Sequence, residues 1–264
     1  MSSQAIPKHT VLFPTLPQLI TLTGAGGKTS IMFWIASAIK GMEKRVITTT
    51  TTKMFFPESG EVILQADASD FLAEIASALE IHSTVTVASR YDAQLQKLIG
   101  ISPEDISMLL HSKLADCILV EGDGAARKPL KAPNQHEPVI PVETEVCIGV
   151  MGLDALNAPL SNHTVHRHEL FTELTGRGYG ETITPADLIA LATSPKGLFQ
   201  HCPATSQKYV FLNKMDIPNT LEAVGTIHSK QSQHPTDLIW LACSAQHRKI
   251  FNISDTQTEV VITS

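Results

Sequence analysis

The amino-acid sequence predicts an α/β protein built on a mostly parallel sheet with helices on both faces. Short β-branched runs alternate with longer stretches of helical period, which is the pattern of βαβ units. A glycine-rich turn joins a strand to an apolar helix near the start, and two later helices open on Ser-Pro or Thr-Pro. A capping residue followed by proline is a helix N-terminus signal, because the first turn needs no N–H from that position.

Taken in order, Leu19–Thr23 is the first strand and Ser30–Lys40 the first helix. Arg45–Thr50 is a second strand running into the threonines at 48–52, and Ala68–Leu79 a helix. Val85–Ala88 is a strand, and Pro103–Leu114 a helix behind Ser102. Cys117–Glu121 and Val146–Val150 are apolar strands, Pro185–Thr193 a helix behind Thr184, and Tyr209–Leu212 and Leu238–Ala242 the last strands. Between them Gly122–Pro141 carries Pro129, Pro133, Pro138 and Pro141. Long irregular segments inside compact domains tend to be functional. With the His-, Arg- and Gly-rich Thr164–Gly180, residues 122–205 read as an elaboration or small subdomain on the sheet of one α/β domain spanning 1–264.

Composition bounds the function. The chain has 264 residues, 43% hydrophobic and 17% charged, with 20 Lys plus Arg against 26 Asp plus Glu. A net charge of −6 argues against a nucleic-acid partner, which calls for a basic face. No apolar run nears the ~20 residues of a membrane helix. The start, MSSQAIPKHTVLFPTLPQ, is broken by Pro7, Pro14 and Pro17 and lacks a signal-peptide core, so the expected location is cytoplasmic. Cys117, Cys147, Cys202 and Cys243 are widely spaced, which predicts neither disulfides nor a zinc knuckle.

The strongest chemical signal is Gly24-Ala25-Gly26-Gly27-Lys28-Thr29, entered from a strand and followed at Ser30 by a helix. Glycines let backbone N–H groups surround phosphate oxygens, and the helix N-terminus adds positive potential. Lys28 reaches the β- and γ-phosphates, and Thr29 ligates Mg²⁺. The usual first glycine is Leu22 here, so the loop is the G-x-x-G-K-T variant of the peptide-ligase branch of P-loop enzymes. The expectation is a P-loop NTPase-like, three-layer fold. A plain strand-to-helix turn is the structural alternative.

Two further strand ends complete a nucleotide site. Cys117–Glu121 empties into Glu121-Gly122-Asp123. Glu121 is expected on the metal with Thr29, and Asp123 on metal or attacking water. Tyr209–Leu212 empties into Asn213-Lys214-Met215-Asp216. A single carboxylate, Asp216, accepts from both N1–H and the 2-amino group of guanine, while Asn213 meets the opposite edge and Lys214 covers the ring. GTPases use this arrangement with a Ser-Ala pair after the next strand, here Ser244-Ala245. The bland readings are solvated turn acids and an ordinary turn.

A second anionic substrate is the sharper reading of Lys53, Arg127, Lys131, His136, His166 and Arg167. A solvated loop and threonine β-propensity are the blander ones. The histidines 163, 166 and 168 do not have the spacing of a zinc site.

The blocks TLTGAGGKTS, RVITTTTTKMF, ILVEGDGAARKPLKAPNQHEPVIP, GLDALNAPL, VHRHELF, TPADLIALATSPKG and FLNKMD resemble the YqeC-type selenium-dependent hydroxylase accessory proteins over about residues 19–216. The resemblance implies a bacterial P-loop protein linked to maturation of a selenium-dependent molybdenum hydroxylase, and so a client enzyme or its cofactor as partner. A more distant likeness to metallocenter-assembly GTPases implies a homodimer. The expected activity is Mg²⁺-dependent binding and hydrolysis of GTP or ATP, with GTP preferred. An ATP-dependent transferase or ligase and a non-hydrolysing, nucleotide-switched carrier are the alternatives.

Overall fold

The computed structural model describes residues 10–262; Pro7, one of the prolines invoked against a signal peptide, lies outside them. The chain runs β1 (Thr10–Val11), β2 (Leu19–Gly24), α1 (Lys28–Lys40), β3 (Val46–Thr50), β4 (Lys53–Phe55) and β5 (Glu61–Leu64). It continues through α2 (Phe71–His82), β6 (Thr84–Ala88), β7 (Arg90–Asp92), β8 (Lys97–Ile99), α3 (Pro103–Ser112) and β9 (Cys117–Glu121). Then come β10 (Leu130–Lys131), β11 (Val146–Gly152), β12 (Val165–His166), α4 (His168–Thr175) and α5 (Pro185–Thr193). The last elements are β13 (Gln207–Asn213), α6 (Thr220–Gln233), β14 (Ile239–Ser244), β15 (Lys249–Asn252) and β16 (Asp255–Val261).

Eleven strands form one sheet in the order β1-β16-β15-β14-β13-β11-β2-β9-β3-β6-β5. From β14 to β5 every pairing is parallel. Within this sheet, among the described residues, the antiparallel pairs are β14–β15 and β15–β16, where short turns reverse the chain. Strands β2, β3, β9 and β11 are buried at every residue, as a sheet covered on both faces requires.

Alternation along each strand divides the core. Ile20, Leu22, Leu119, Ile148 and Phe211 pack with α1 on one face. Leu19, Ile47, Val85, Ile118 and Val120 pack with α2 and α3 on the other, where Val210, Leu212 and Ala242 meet α4, α5 and α6. Thus, among the described residues, α1 shares its face with none of helices α2–α6, and a small sheet, β4-β8-β7, packs beside it through Met54 and Leu98.

The caps behave as the sequence predicts. Ser102 accepts from the Asp105 N–H at 3.1 Å with Pro103 next in line, and Asp187 accepts from the Thr184 N–H at 2.7 Å. Helix α2 begins at Phe71 and not at Ala68, because the Asp70 carboxylate accepts from Ala73 N–H and fixes the start there.

Segment 122–205 does more than decorate the sheet, since it supplies β11, hydrogen-bonded between β2 and β13. The remainder forms the β10–β12 pair and helices α4 and α5. The cysteine expectation needs correction. Cys147 on β11 pairs as a disulfide with Cys202, Cα to Cα 6.8 Å, across 55 residues of sequence. Spacing in sequence says nothing about a contact that the return of the chain to the sheet creates. Cys117 and Cys243 are buried and unpaired, and burial raises both thiols above their ordinary pKa. Among the described residues no helix is long and apolar enough to cross a membrane.

Candidate functional site

Strand β2 ends at Gly24 and α1 starts at Lys28, leaving three residues for the turn. Gly26 holds φ +82°, and a Cβ there would overlap the Gly152 backbone and stand 2.8 Å from Pro129 O. At Gly27, φ +121°, a Cβ would stand 2.5 Å from Asn213 Nδ2. Both positions therefore need glycine for conformation and for room. The turn is tied down by Ala25 N–H to Val150 O, 2.9 Å, and Gly26 N–H to Lys128 O, 3.1 Å. No side chain caps α1 at Gly27, and Gly27, Lys28, Thr29 and Ser30 line a cavity. The unpaired N–H groups of a first helical turn are an anion seat.

Because β9 hydrogen-bonds directly to β2, with Leu22 opposite Glu121, the acidic strand end lies beside that turn. Thr29 Oγ1 donates to Glu121 Oε2 at 2.7 Å. Lys28 Nζ donates to Gly24 O at 2.6 Å and stands 3.2 Å from Asp123 Oδ1 and 3.8 Å from Glu121 Oε1. Burial pushes the Glu121 carboxyl above its ordinary pKa, against the opposing pull of Lys28 and of the Thr29 hydrogen bond.

The charges continue inward. Lys131, fully buried, meets Asp123 at 2.9 Å and Glu137 at 2.6 Å. Arg167 donates to Glu137 at 2.6 Å. Burial would raise the Glu137 carboxyl, but the hydrogen bonds from Arg167 and Lys131 outweigh it and hold the group below its usual range. Lys28, Lys131 and Arg167 thus balance Glu121, Asp123 and Glu137. Buried ions persist in a fold only when compensated in this way.

On the other side of β2, Asn213 closes β13. Its Nδ2 donates to Gly26 O at 2.8 Å and its Oδ1 accepts from the Ala245 N–H at 3.0 Å. The side chain is a tie between the glycine turn and the end of β14, and it occupies the backbone N–H of Ala245, one member of the Ser-Ala pair. Ser244 Oγ lies 3.1 Å from His247 Nδ1. Lys214 ion-pairs with Asp154, a residue sequence reasoning missed because nothing local links positions 60 apart. Asp216 is exposed.

A cavity of about 930 Å³ opens over Gly26–Ser30, Glu121 and Lys214, while Asp123, Asn213, Asp216, Ser244 and Ala245 lie outside its wall. It contains Lys53 and Arg127 among the residues expected at a second substrate, together with Phe55, Lys97 and Arg248, which the sequence did not single out. It does not contain Lys131, His136, His166 or Arg167. Lys131 and Arg167 are committed to Glu137. His136 is exposed, and its backbone N–H donates to Asn134 Oδ1. Burial, with Arg167 and Lys131 nearby, lowers His166 to about 4, so it is neutral at pH 7 and offers an anion no charge. The threonine run takes its blander reading. Thr49 donates to Val87 O, Thr50 to Glu121 O and Thr51 to Val139 O, at 2.7, 2.8 and 3.0 Å.

No solved structure matches the chain. "Uncharacterized protein YqeC" of Escherichia coli (strain K12) is 34% identical over 238 residues, covering 89% of this chain and 90% of the relative. The family model described as "YqeC protein" matches residues 20–169, a span holding the glycine turn, both strand-end carboxylates and the Lys131–Glu137–Arg167 cluster. By that match and that identity, the chain belongs to the YqeC family.

Proposed function

We propose that the protein binds a nucleoside triphosphate with Mg²⁺ and hydrolyses it, GTP in preference to ATP. The observation that carries the reading is the convergence of Thr29 Oγ1 on Glu121 Oε2 at 2.7 Å, directly beside Lys28 at an uncapped helix start. A hydroxyl and a carboxylate are hard oxygen donors suited to Mg²⁺, so Thr29 and Glu121 would hold the ion, which neutralises phosphate charge when bound. Lys28, folded back on Gly24 O, exchanges that carbonyl for phosphate oxygens. Asp123 Oδ1 faces Lys28 without making a hydrogen bond and orients the water. In hydrolysis the water oxygen bonds to the γ-phosphorus as the bridging P–O bond to the β-phosphate breaks, releasing inorganic phosphate and a diphosphate. The preference for guanine rests on Asp216, exposed at the end of β13, while Asn213 supports the loop.

The resemblance of the sequence to selenium-dependent hydroxylase accessory proteins supports placing this activity in the maturation of a molybdenum hydroxylase. An ATP-driven transferase or ligase is the second reading, favoured by the cationic wall at Lys53 and Arg127.

Calorimetric titration with non-hydrolysable GTP and ATP analogues plus Mg²⁺ tests the proposal. GTP-analogue binding that Lys28→Ala weakens about 100-fold, in line with loss of a charge-assisted phosphate contact, is the expected outcome. Asp216→Asn moves the preference to xanthosine triphosphate. Unchanged base preference in that variant removes the guanine reading, and an ATP preference in the parent protein moves the assignment to the ligase class.

A further inference from the structure

The cavity extends well past a nucleotide. Strand order places the base-reading end, β13 and β14, on one side of β2, and β9 and β3 on the other. A nucleotide with phosphates on Gly27–Thr29 and its base toward Asp216 therefore leads away from β3. Yet the cavity continues on the β3 side along α1, touching Phe33, Ser37 and Lys40. From Lys28 to Lys40 the helix rises by about 18 Å. The opposite wall is the small β4-β8-β7 sheet.

That flank has its own chemistry. Arg127 and Lys97 both lie over the Phe55 ring, Cζ 4.1 Å and Nζ 4.6 Å from its centroid. Neither cation has a carboxylate partner among the described residues. Cation–π contact holds the charges in place without neutralising them. Two successive non-glycine residues, Ala126 and Arg127, hold left-handed φ of 49° and 58°, a strained geometry that occurs preferentially at ligand-binding sites. Phe55 and Phe56 remain 42% and 50% exposed on this wall, and Phe56 is braced edge-on by Tyr91 at 5.9 Å.

We propose that this flank is a second ligand subsite, for a phosphorylated aromatic heterocycle bound alongside the nucleotide. The planar Arg127 guanidinium and the Phe56 ring supply flat surfaces for the ring system. Lys53 and Lys97 take the phosphate. Glu58 and Glu61, also on the cavity wall, repel the anionic group and leave Lys53 and Lys97 as its partners. The subsite goes beyond the nucleotide reading and does not require hydrolysis.

Flavin mononucleotide is a suitable probe, because it joins a fluorescent heterocycle to a phosphate. Quenching of its fluorescence is followed in the full chain with and without a saturating GTP analogue and Mg²⁺, beside riboflavin and inorganic phosphate alone. The expected result is binding in both conditions, with riboflavin at least tenfold weaker. Arg127→Ala and Phe55→Ala each raise the Kd about tenfold, while Phe55→Leu, which keeps apolar bulk but not the ring, behaves like Phe55→Ala. Circular dichroism verifies that each variant is folded. No flavin mononucleotide binding at 1 mM, displacement of it by the GTP analogue, or indifference to Arg127→Ala and Phe55→Ala overturns the inference. If flavin mononucleotide binds as described but no nucleotide does, the subsite stands and the nucleotide proposal falls.

Discussion

Lys131 is the residue on which the site's charge balance depends. Its side chain is fully buried and holds Asp123 and Glu137 at 2.9 and 2.6 Å. Removing one partner of a buried ion pair leaves an uncompensated charge, which costs about 3–5 kcal/mol. Lys131→Met preserves the length of the stem and removes only the ammonium, so urea denaturation should report a loss of that size. Adding Asp123→Asn to Lys131→Met takes away one stranded carboxylate and should recover part of it. If the double variant is no more stable than the single one, the Lys131–Asp123 contact is not what makes this lysine necessary. Glu137 still has Arg167 in either variant, so it limits the damage.

At the scale of elements, the two-residue pair β10–β12 sets Lys131 beside His166. His166 has its pKa lowered to about 4, by burial first and then by the adjacent cations. The unfolded chain, with histidine near 6.5, binds a proton between those values that the folded chain refuses. Stability is therefore full above about 6.5 and declines as pH falls toward 4. The loss between pH 7 and 5, discounted for partial exposure, is about 1 kcal/mol. Urea midpoints at the two pH values should differ in the parent protein and converge in His166→Gln; an equal pH effect in both would place the titration elsewhere. Glu137, held low by Arg167 and Lys131, adds its own loss only below its ordinary range. Elements of this size are hard to read from sequence. Strands of two or three residues, such as β10, β12, β4, β7 and β8, are too short to show alternation. The polar helix α6 buries only Thr220, Val224 and Ile227 and gives little periodic signal. Strands β2, β3, β9, β11, β13 and β14 were legible because a sheet core covered on both faces demands continuous apolar runs. The glycine turn and Glu121 were legible for a related reason, since a backbone motif dictates its residues locally. The Cys147–Cys202 pair, the Lys214–Asp154 pair and the commitment of Asn213 to Gly26 and Ala245 are contacts between distant segments, and no local pattern encodes them.

For the whole molecule, the candidate site is assembled from the ends of β2, β9, β13 and β14, between Gly24 and Ala245. A ligand seated there contacts segments that span nearly the entire sequence, so its binding free energy opposes unfolding of the sheet as a unit. At a ligand concentration 100 times Kd, that linkage amounts to about 2.7 kcal/mol. For a chain of this size each kcal/mol moves the midpoint by roughly 2–4 °C, giving a rise of about 5–10 °C. Differential scanning fluorimetry with a GTP analogue and Mg²⁺ should show that rise. It should shrink when Mg²⁺ is omitted, because Thr29 and Glu121 then have no ion to share with the phosphates. Lys28→Ala should abolish it, whatever that substitution does to the starting midpoint. A rise of equal size in Lys28→Ala would mean that nucleotide binds away from the glycine turn. A rise indifferent to Mg²⁺ would separate the Thr29–Glu121 contact from phosphate binding and reduce it to a structural tie between α1 and β9.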